Sequence, residues 1–247
     1  MTIHAGNTMR LPDRYVALDL EMTGLSPKRD RIIEIGAVLV ENGDARAVFS
    51  RLINPGREIP ERITEITGIT EADVRNAPYV EEILTELSDF IGDNDLLGHR
   101  ILLDYAFLKR VFVNAGRAFE KNGIDTLKLA RKYLPELPGR RLSELCAYYE
   151  IPLRAHRAAD DAMAAHTVYQ RLRLAFDTPS NTDAQKDFRA HPLVCSIKKE
   201  SPAGRGQKDR LLSLLRRHNL PVTVDVEHMS KNEISRLTDR ILARYGR

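Results

Sequence analysis

The 247-residue chain has no apolar run approaching the roughly 18 residues needed to cross a bilayer. Its best stretch, IIEIGAVLV at 32–40, is half that length and carries Glu34 inside it. No membrane partner is therefore expected. The first residues, MTIHAGNTMRLPDR, contain no apolar segment of signal-peptide type, so no secretory signal is expected either. Cysteine is scarce: Cys146 and Cys195 lie far apart and lack zinc-ligand spacing. Without an export signal they are expected to be reduced thiols in a cytoplasmic protein. No internal repeat stands out.

What is present fits a globular protein. Hydrophobic residues make up 43% and charged residues 30%, a balance that excludes a disordered chain. The length suits one α/β domain plus something smaller. The net charge of +3 hides an asymmetry. Residues 1–177 hold 24 Lys+Arg against 27 Asp+Glu, whereas residues 178–247 hold 14 against 8. A basic tail on a mildly acidic body points to contact with a polyanion, or else to a solvated helical face.

Three strands open the pattern. An apolar run ends at Leu18, Arg31 to Glu41 reads as a second strand, and Ala45 to Ile53 as a third. Asn42-Gly43-Asp44 between the last two has hairpin chemistry and predicts antiparallel pairing. A helix over 79–91 follows from Val80, Ile83, Leu84, Leu87 and Ile91 at helical spacing. Asp95–Gly98 is a short strand, Ile101–Asn114 a helix closed by Gly116, and Ile124 a brief extended piece. Helices are expected at 126–134, 141–149 and from Ala158 to Phe176. Residues 177–206 read as a connector with one β-prone piece at Leu193 to Ile197. Two amphipathic helices close the chain, the second opened by Ser230 with Glu233 three residues on, a capping box. Strands first, then strands alternating with helices, predict an α/β fold with a mixed sheet covered by helices.

Asp19 and Glu21 break the first strand's apolar run. Side chains two apart on a strand share a face, with Cα atoms about 6.5 Å apart. Paired carboxylates at a strand's C-terminal end, where ligands of open α/β sheets collect, are tolerable when a cation sits between them. Taken alone, a D-x-E pair is also an ordinary solvated strand end. Further acids change the balance. Asp104 lies in the first turn of the helix after the short strand. Asp160 and Asp161 lie in the first turn of the helix that follows His156, and Ala162, Ala164 and Ala165 would let that helix approach the sheet closely.

With these residues in view, three segments resemble the motifs of the DEDDh 3′–5′ exonucleases. DLEMTG at 19–24 is similar to D-x-E-T-T-G, GHRILLDYAFL at 98–108 to G-H-N followed by F-D-x-x-F-L, and HRAADDA at 156–162 to H-R-A-x-x-D. The resemblance spans residues 14–175 and is nearest in style to proofreading epsilon-type subunits of bacterial replicative polymerases and their free-standing relatives. It implies a ribonuclease H-like mixed five-stranded sheet flanked by helices, plus a small C-terminal helical module. The implied domains are residues 1–176 as the exonuclease, 177–206 as a linker and 207–247 as a small basic module. By motif position, Asp19, Glu21, Asp104 and Asp161 match the four metal-binding acids and His156 the general base. Asp160 is then the helix-start acid facing solvent. Met22 and Arg100 depart from the family pattern at positions that are not metal ligands there, which bears on how the terminal nucleotide is held.

The resemblance further implies two Mg²⁺ or Mn²⁺ ions and hydrolysis from a 3′ end to nucleoside 5′-monophosphates, in replication proofreading or DNA repair. The expected substrate is single-stranded or 3′-frayed DNA, with RNA as a further candidate, and a DNA polymerase is a candidate partner. Met22 and Leu25 are candidates to wedge against terminal bases, Thr23 and Gly24 offer backbone N–H groups nearby, and His99 of the second motif is a further substrate-binding candidate. Core packing is the alternative for Leu25. The competing function is a nucleic-acid-binding or polymerase-tethering module that does not cleave; a complete set of four acids and a histidine argues against it.

Overall fold

The computed structural model describes residues 14–178 and 181–246. Its centre is a sheet of order β3-β2-β1-β4-β5-β6. The strands are β1 (Arg14–Met22), β2 (Ile32–Glu41), β3 (Asp44–Leu52), β4 (Asp95–Gly98), β5 (Asn122–Asp125) and β6 (His191–Pro192). β1 pairs antiparallel with β2 and parallel with β4; β2 and β3 are antiparallel, β4 and β5 parallel, β5 and β6 antiparallel. The β2–β3 hairpin turns on Asn42 and Gly43, both at positive φ, as the primed two-residue turns require.

Period-two alternation in β1 feeds two cores. Val16, Leu18 and Leu20 point into one cluster with α3 (Leu84–Ile91) and α4 (Ile101–Asn114). Tyr15 and Ala17 point into the other, with α5 (Thr126–Tyr133), α6 (Leu142–Tyr148) and α7 (Ala158–Phe176). Asp19 and Glu21 continue the second series by parity, so both carboxylates leave the strand on the α7 side.

Two expectations need correction, and one segment holds elements that the sequence reading left undescribed. The helix expected over 79–91 is regular only from Leu84, although all five apolar positions are buried. Its first turn is diverted: the Pro78 carbonyl accepts from Asn54 N–H at 2.9 Å and the Tyr79 N–H donates to Glu82 at 2.7 Å. The segment between the hairpin and that helix contains α1 (Glu61–Thr67) and α2 (Glu71–Val74), which the apolar pattern did not reveal. The sheet has six strands, not five, because the stretch read as a connector is packed. It forms α8 (Thr182–Asp187) and β6, with the strand two residues before the β-prone piece at Leu193. Ala184 and Phe188 enter the α7-side core and Leu193 the α4-side core, so this strap straddles the sheet edge.

The C-terminal helices α9 (Arg205–Arg217) and α10 (Lys231–Tyr245) enclose their own core of Leu211, Leu214, Leu215, Val226, Ile234 and Ile241. Ser230 and Glu233 form the expected capping box. The module is fastened to the body by an Asp225 N–H to Gly56 carbonyl bond of 2.7 Å, a bridge between Arg57 and Val224, and a Tyr79 hydroxyl that donates to Asp225.

Candidate active site

β4 pairs with β1 only as far as Ala17, after which the chain turns away through Gly98 and Arg100 into α4. A Cβ on Gly98 would lie 2.7 Å from the Leu18 carbonyl oxygen, so glycine is what permits this approach. Arg100 sits at φ 72 and its N–H donates to Asp125 at 3.0 Å. The turn leaves the end of β1 without a strand partner on one side, and the first turn of α4 brings Asp104 into that gap. Asp104 is buried, and N–H groups of Leu20 and of Asp104 itself stabilise its charged form.

α7 approaches from the other direction. A Cβ on Gly36 would lie 2.0 Å from the backbone of Ala158, and Ala162, Ala164 and Ala165 are buried against the sheet, as their spacing predicts. The approach places Asp161, buried, beside Glu21, while Asp160 faces solvent. His156 adopts φ 65, which turns the chain so that its N–H donates to Asp161 Oδ2 at 2.8 Å and its Nδ1 lies 4.0 Å from Glu21 Oε1. Ligand atoms of Glu21, His156 and Asp161 all lie within 4.8 Å of one another.

Electrostatics tie Asp19 and Asp104 to this group. Burial holds the Asp19 carboxyl well above the usual carboxylate range, and the charges of Asp104, Asp161, Glu21 and Glu34 push it further. Burial and then Asp161 and Glu34 raise Glu21 to about 7. Asp104 is raised by burial and by Glu21, Asp161 by burial against the opposing His156 N–H. Four crowded carboxylates, each raised by burial and most by their neighbours' charges, form a site that favours bound positive charge. Hard oxygen donors at this density suit a divalent cation.

The other candidates take different places. Met22 is partly buried against the α4-side core, and Leu25 is 67% exposed, which removes core packing as its role. Thr23 is buried, and its N–H donates to the Arg31 carbonyl at 2.8 Å. That amide, expected to be offered to substrate, is therefore engaged within the loop. A Cβ on Gly24 would meet Asp30 Oδ2 at 2.5 Å. His99 contacts the Thr126 hydroxyl at 3.0 Å, and burial lowers its pKa.

Sequence reasoning missed Glu34. It lies opposite Glu21 across the β1–β2 ladder and is fully buried. Oε1 accepts from Arg157 Nη2 at 2.9 Å and Nε at 3.2 Å; Oε2 accepts from the Ala158 N–H at 3.0 Å. The signal was an acid inside the run IIEIGAVLV, which needs a partner to be buried.

A family model described as exonuclease, of the RNase T type, matches residues 16–169. The DNA polymerase III PolC-type protein of Clostridium perfringens is 37% identical over 160 residues, which are 64% of this chain but 11% of that protein. The DNA polymerase III subunit epsilon of Aquifex aeolicus is 36% identical over 164 residues, 66% of this chain and 81% of that subunit. A solved structure of exonuclease X in complex with 5′ overhanging duplex DNA shares the fold, with a TM-score of 0.53 at 24% identity over 70% of this chain and 98% of that one.

Proposed function

Because the chain belongs to the exonuclease family, we propose that it hydrolyses DNA from a free 3′ end and releases nucleoside 5′-monophosphates. The observation that carries this reading is the convergence of Asp19, Glu21, Asp104 and Asp161 at the end of β1 with His156 beside them. These four acids would hold two divalent cations, Mg²⁺ or Mn²⁺. When bound, the cations lower the pKa of water and neutralise charge on the scissile phosphate.

The chain's own residues do the rest. His156 accepts the proton of the attacking water as general base; its side chain is half-exposed, so water reaches it. The Asp161 carboxylate fixes the His156 backbone, and Glu34 fixes Arg157 and Ala158, so the histidine is held from both sides. Leu25, which is exposed, and Met22, partly buried against the α4-side core, would hold the terminal base, with His99 of the second motif as a further contact.

Residues 1–176 supply this chemistry and residues 207–247 a basic appendage, joined by a strap at 177–206. The relationship to an epsilon subunit supports a polymerase partner, proofreading or repair as the setting, and a cytoplasmic location. Among the described residues no helix is long and apolar enough to cross a membrane. The test is incubation of purified protein with Mg²⁺ or Mn²⁺ and 5′-labelled single-stranded DNA, duplex DNA and RNA. A ladder shortening from the 3′ end, with DNA cut faster than RNA and no cutting in a chelator, is expected. Uncut DNA under every metal condition overturns the reading.

A further inference from the structure

Between the body and α10 lies a cavity of about 890 Å³, lined by Arg29, Arg31, Arg57, Arg110, Arg236 and Arg240. Burial and then the charges of Arg110 and Arg57 lower the Arg31 guanidinium to about 10, a sign of like charges held together. Such a cluster suggests an anion site, but its hydrogen bonds point elsewhere. Four of the arginines donate to four consecutive carbonyls of one loop. Arg110 Nη1 donates to Pro27 at 2.8 Å, Arg236 Nη2 to Lys28 at 3.3 Å, Arg57 Nη1 to Arg29, and Arg31 Nη1 to Asp30 at 3.2 Å. Carboxylates complete the set: Glu200 accepts from Arg110 at 2.9 Å and Glu233 from Arg31. The partners of these guanidinium groups are a row of neutral backbone carbonyls and two carboxylates from the C-terminal part of the chain, Glu200 and Glu233.

The gripped loop directly follows Met22–Leu25. Its ends are tied together by Thr23 N–H to the Arg31 carbonyl and by Arg31 N–H to the Thr23 hydroxyl, at 2.8 and 2.9 Å, and its middle by Ser26 N–H to Asp30 at 2.8 Å. Glu233 uses both oxygens, one on Arg31 and one on the Ser230 N–H at 2.9 Å that opens α10. The start of α10 and the substrate loop are thus joined through one carboxylate, and the side chains of Arg31 and Glu233 are only 23% and 10% exposed. A shielded pair of this kind escapes most of the solvent screening that weakens surface ion pairs.

We propose that Glu233 and Arg236 of α10 are positioning residues for the loop Met22–Asp30, so that the C-terminal module sets how firmly the 3′-terminal nucleotide is held. The inference rests on the reading of Met22–Leu25 as nucleotide contacts. It assigns the module an inward, mechanical role in place of a grip on nucleic-acid backbone by its exposed cations.

The test compares the full chain with the double variant Glu233→Gln/Arg236→Ala. Glutamine keeps the capping interaction at Ser230 while removing the charge that faces Arg31. Loss of the Arg31–Glu233 ion pair and of the Arg236–Lys28 bond predicts a rise of about tenfold in KM for a single-stranded oligonucleotide with kcat within about twofold. Trypsin cleavage after Lys28 and Arg29, which reads loop opening without any nuclease activity, should accelerate by about as much. Unchanged KM, or a fall in kcat alone, overturns the proposal. A comparable rise in KM for Arg216→Ala/Arg217→Ala, which removes two exposed charges from α9, also overturns it in favour of a backbone grip. Should the protein cut no substrate, unchanged trypsin cleavage overturns the coupling and accelerated cleavage sustains it.

Discussion

Glu34 on β2 and Arg157 ahead of α7 are joined by two N–H···O bonds to one carboxylate oxygen, 123 positions apart in the chain. The pair is asymmetric: Glu34 is fully buried, whereas the Arg157 side chain is 46% exposed. Arg157 therefore brings charge to Glu34 from the solvent side, and the Ala158 N–H at the start of α7 completes the shell. The result is a seat on β2 for the segment that carries His156 and Asp161.

Replacing Arg157 tests that seat. Arg157→Ala leaves the buried Glu34 carboxylate with the Ala158 N–H as its remaining partner in the seat, which costs about 1–3 kcal/mol. A fall in thermal midpoint together with a lower kcat and little change in KM is expected. Arg157→Lys keeps the charge but loses the planar two-point contact, and should fall between the two. Thermal unfolding and steady-state kinetics on the same preparations decide it.

Removing a ligand acid should separate activity from stability. Asp19→Ala or Asp161→Ala is expected to abolish cleavage and leave the fold intact. Because Asp19 is destabilised by burial and by four neighbouring carboxylates, Asp19→Asn should also raise the thermal midpoint of the metal-free protein. Turnover at the level of the unsubstituted protein in either alanine variant would reject the ligand assignment.

His156→Ala is expected to slow hydrolysis by about 10²–10⁴-fold while metal affinity, measured by calorimetry, stays within a few-fold. Unaltered turnover would mean that another group accepts the proton.

The acid cluster also sets the direction of pH dependence. Glu21 rises from its ordinary 4.5 to about 7 in the folded chain, so the folded state binds the proton more tightly than the unfolded one. Its contribution to stability is complete below about 4.5 and is lost as pH rises through 7. The metal-free protein should therefore unfold at a lower temperature at pH 8 than at pH 5. Millimolar Mg²⁺ or Mn²⁺ should shrink the difference by favouring the ionised acids. Equal midpoints at both pH values in chelator would contradict the crowding described above.

Much of this site was legible from the chain because each motif sits where local structure changes. Asp19 and Glu21 interrupt an apolar strand, Asp104 and Asp161 occupy first helical turns, and the alanines after Asp161 mark a close helix–sheet contact. α4 was bounded to the residue and α7 approximately, because the first follows a short strand and closes at a glycine, and the second follows a loop with acids in its first turn. What escaped depends on contacts remote in sequence. Glu34 reads as a blemish in a strand until Arg157 is beside it. The packing of Ala184 and Phe188 into the α7-side core has no periodic signature, because α8 is too short to show one. α1 and α2 are fixed by caps, Gly68 at φ 71 and the Thr70–Asp73 box, rather than by an apolar stripe. Leu25 was ambiguous because an apolar residue after a turn reads alike whether it faces inward or outward.

The strap has a practical side. β6 pairs with β5 at Asn122 and Gly123 and brings Pro192, which has no N–H to donate, to the margin of the sheet. A further chain arriving there finds a rim already occupied and poorly suited to extension. Cutting the chain at the end of α7 would strip this guard and uncover the hollow that Phe188 fills. Such a shortened nuclease is expected to stick to itself at concentrations where the whole chain stays monodisperse.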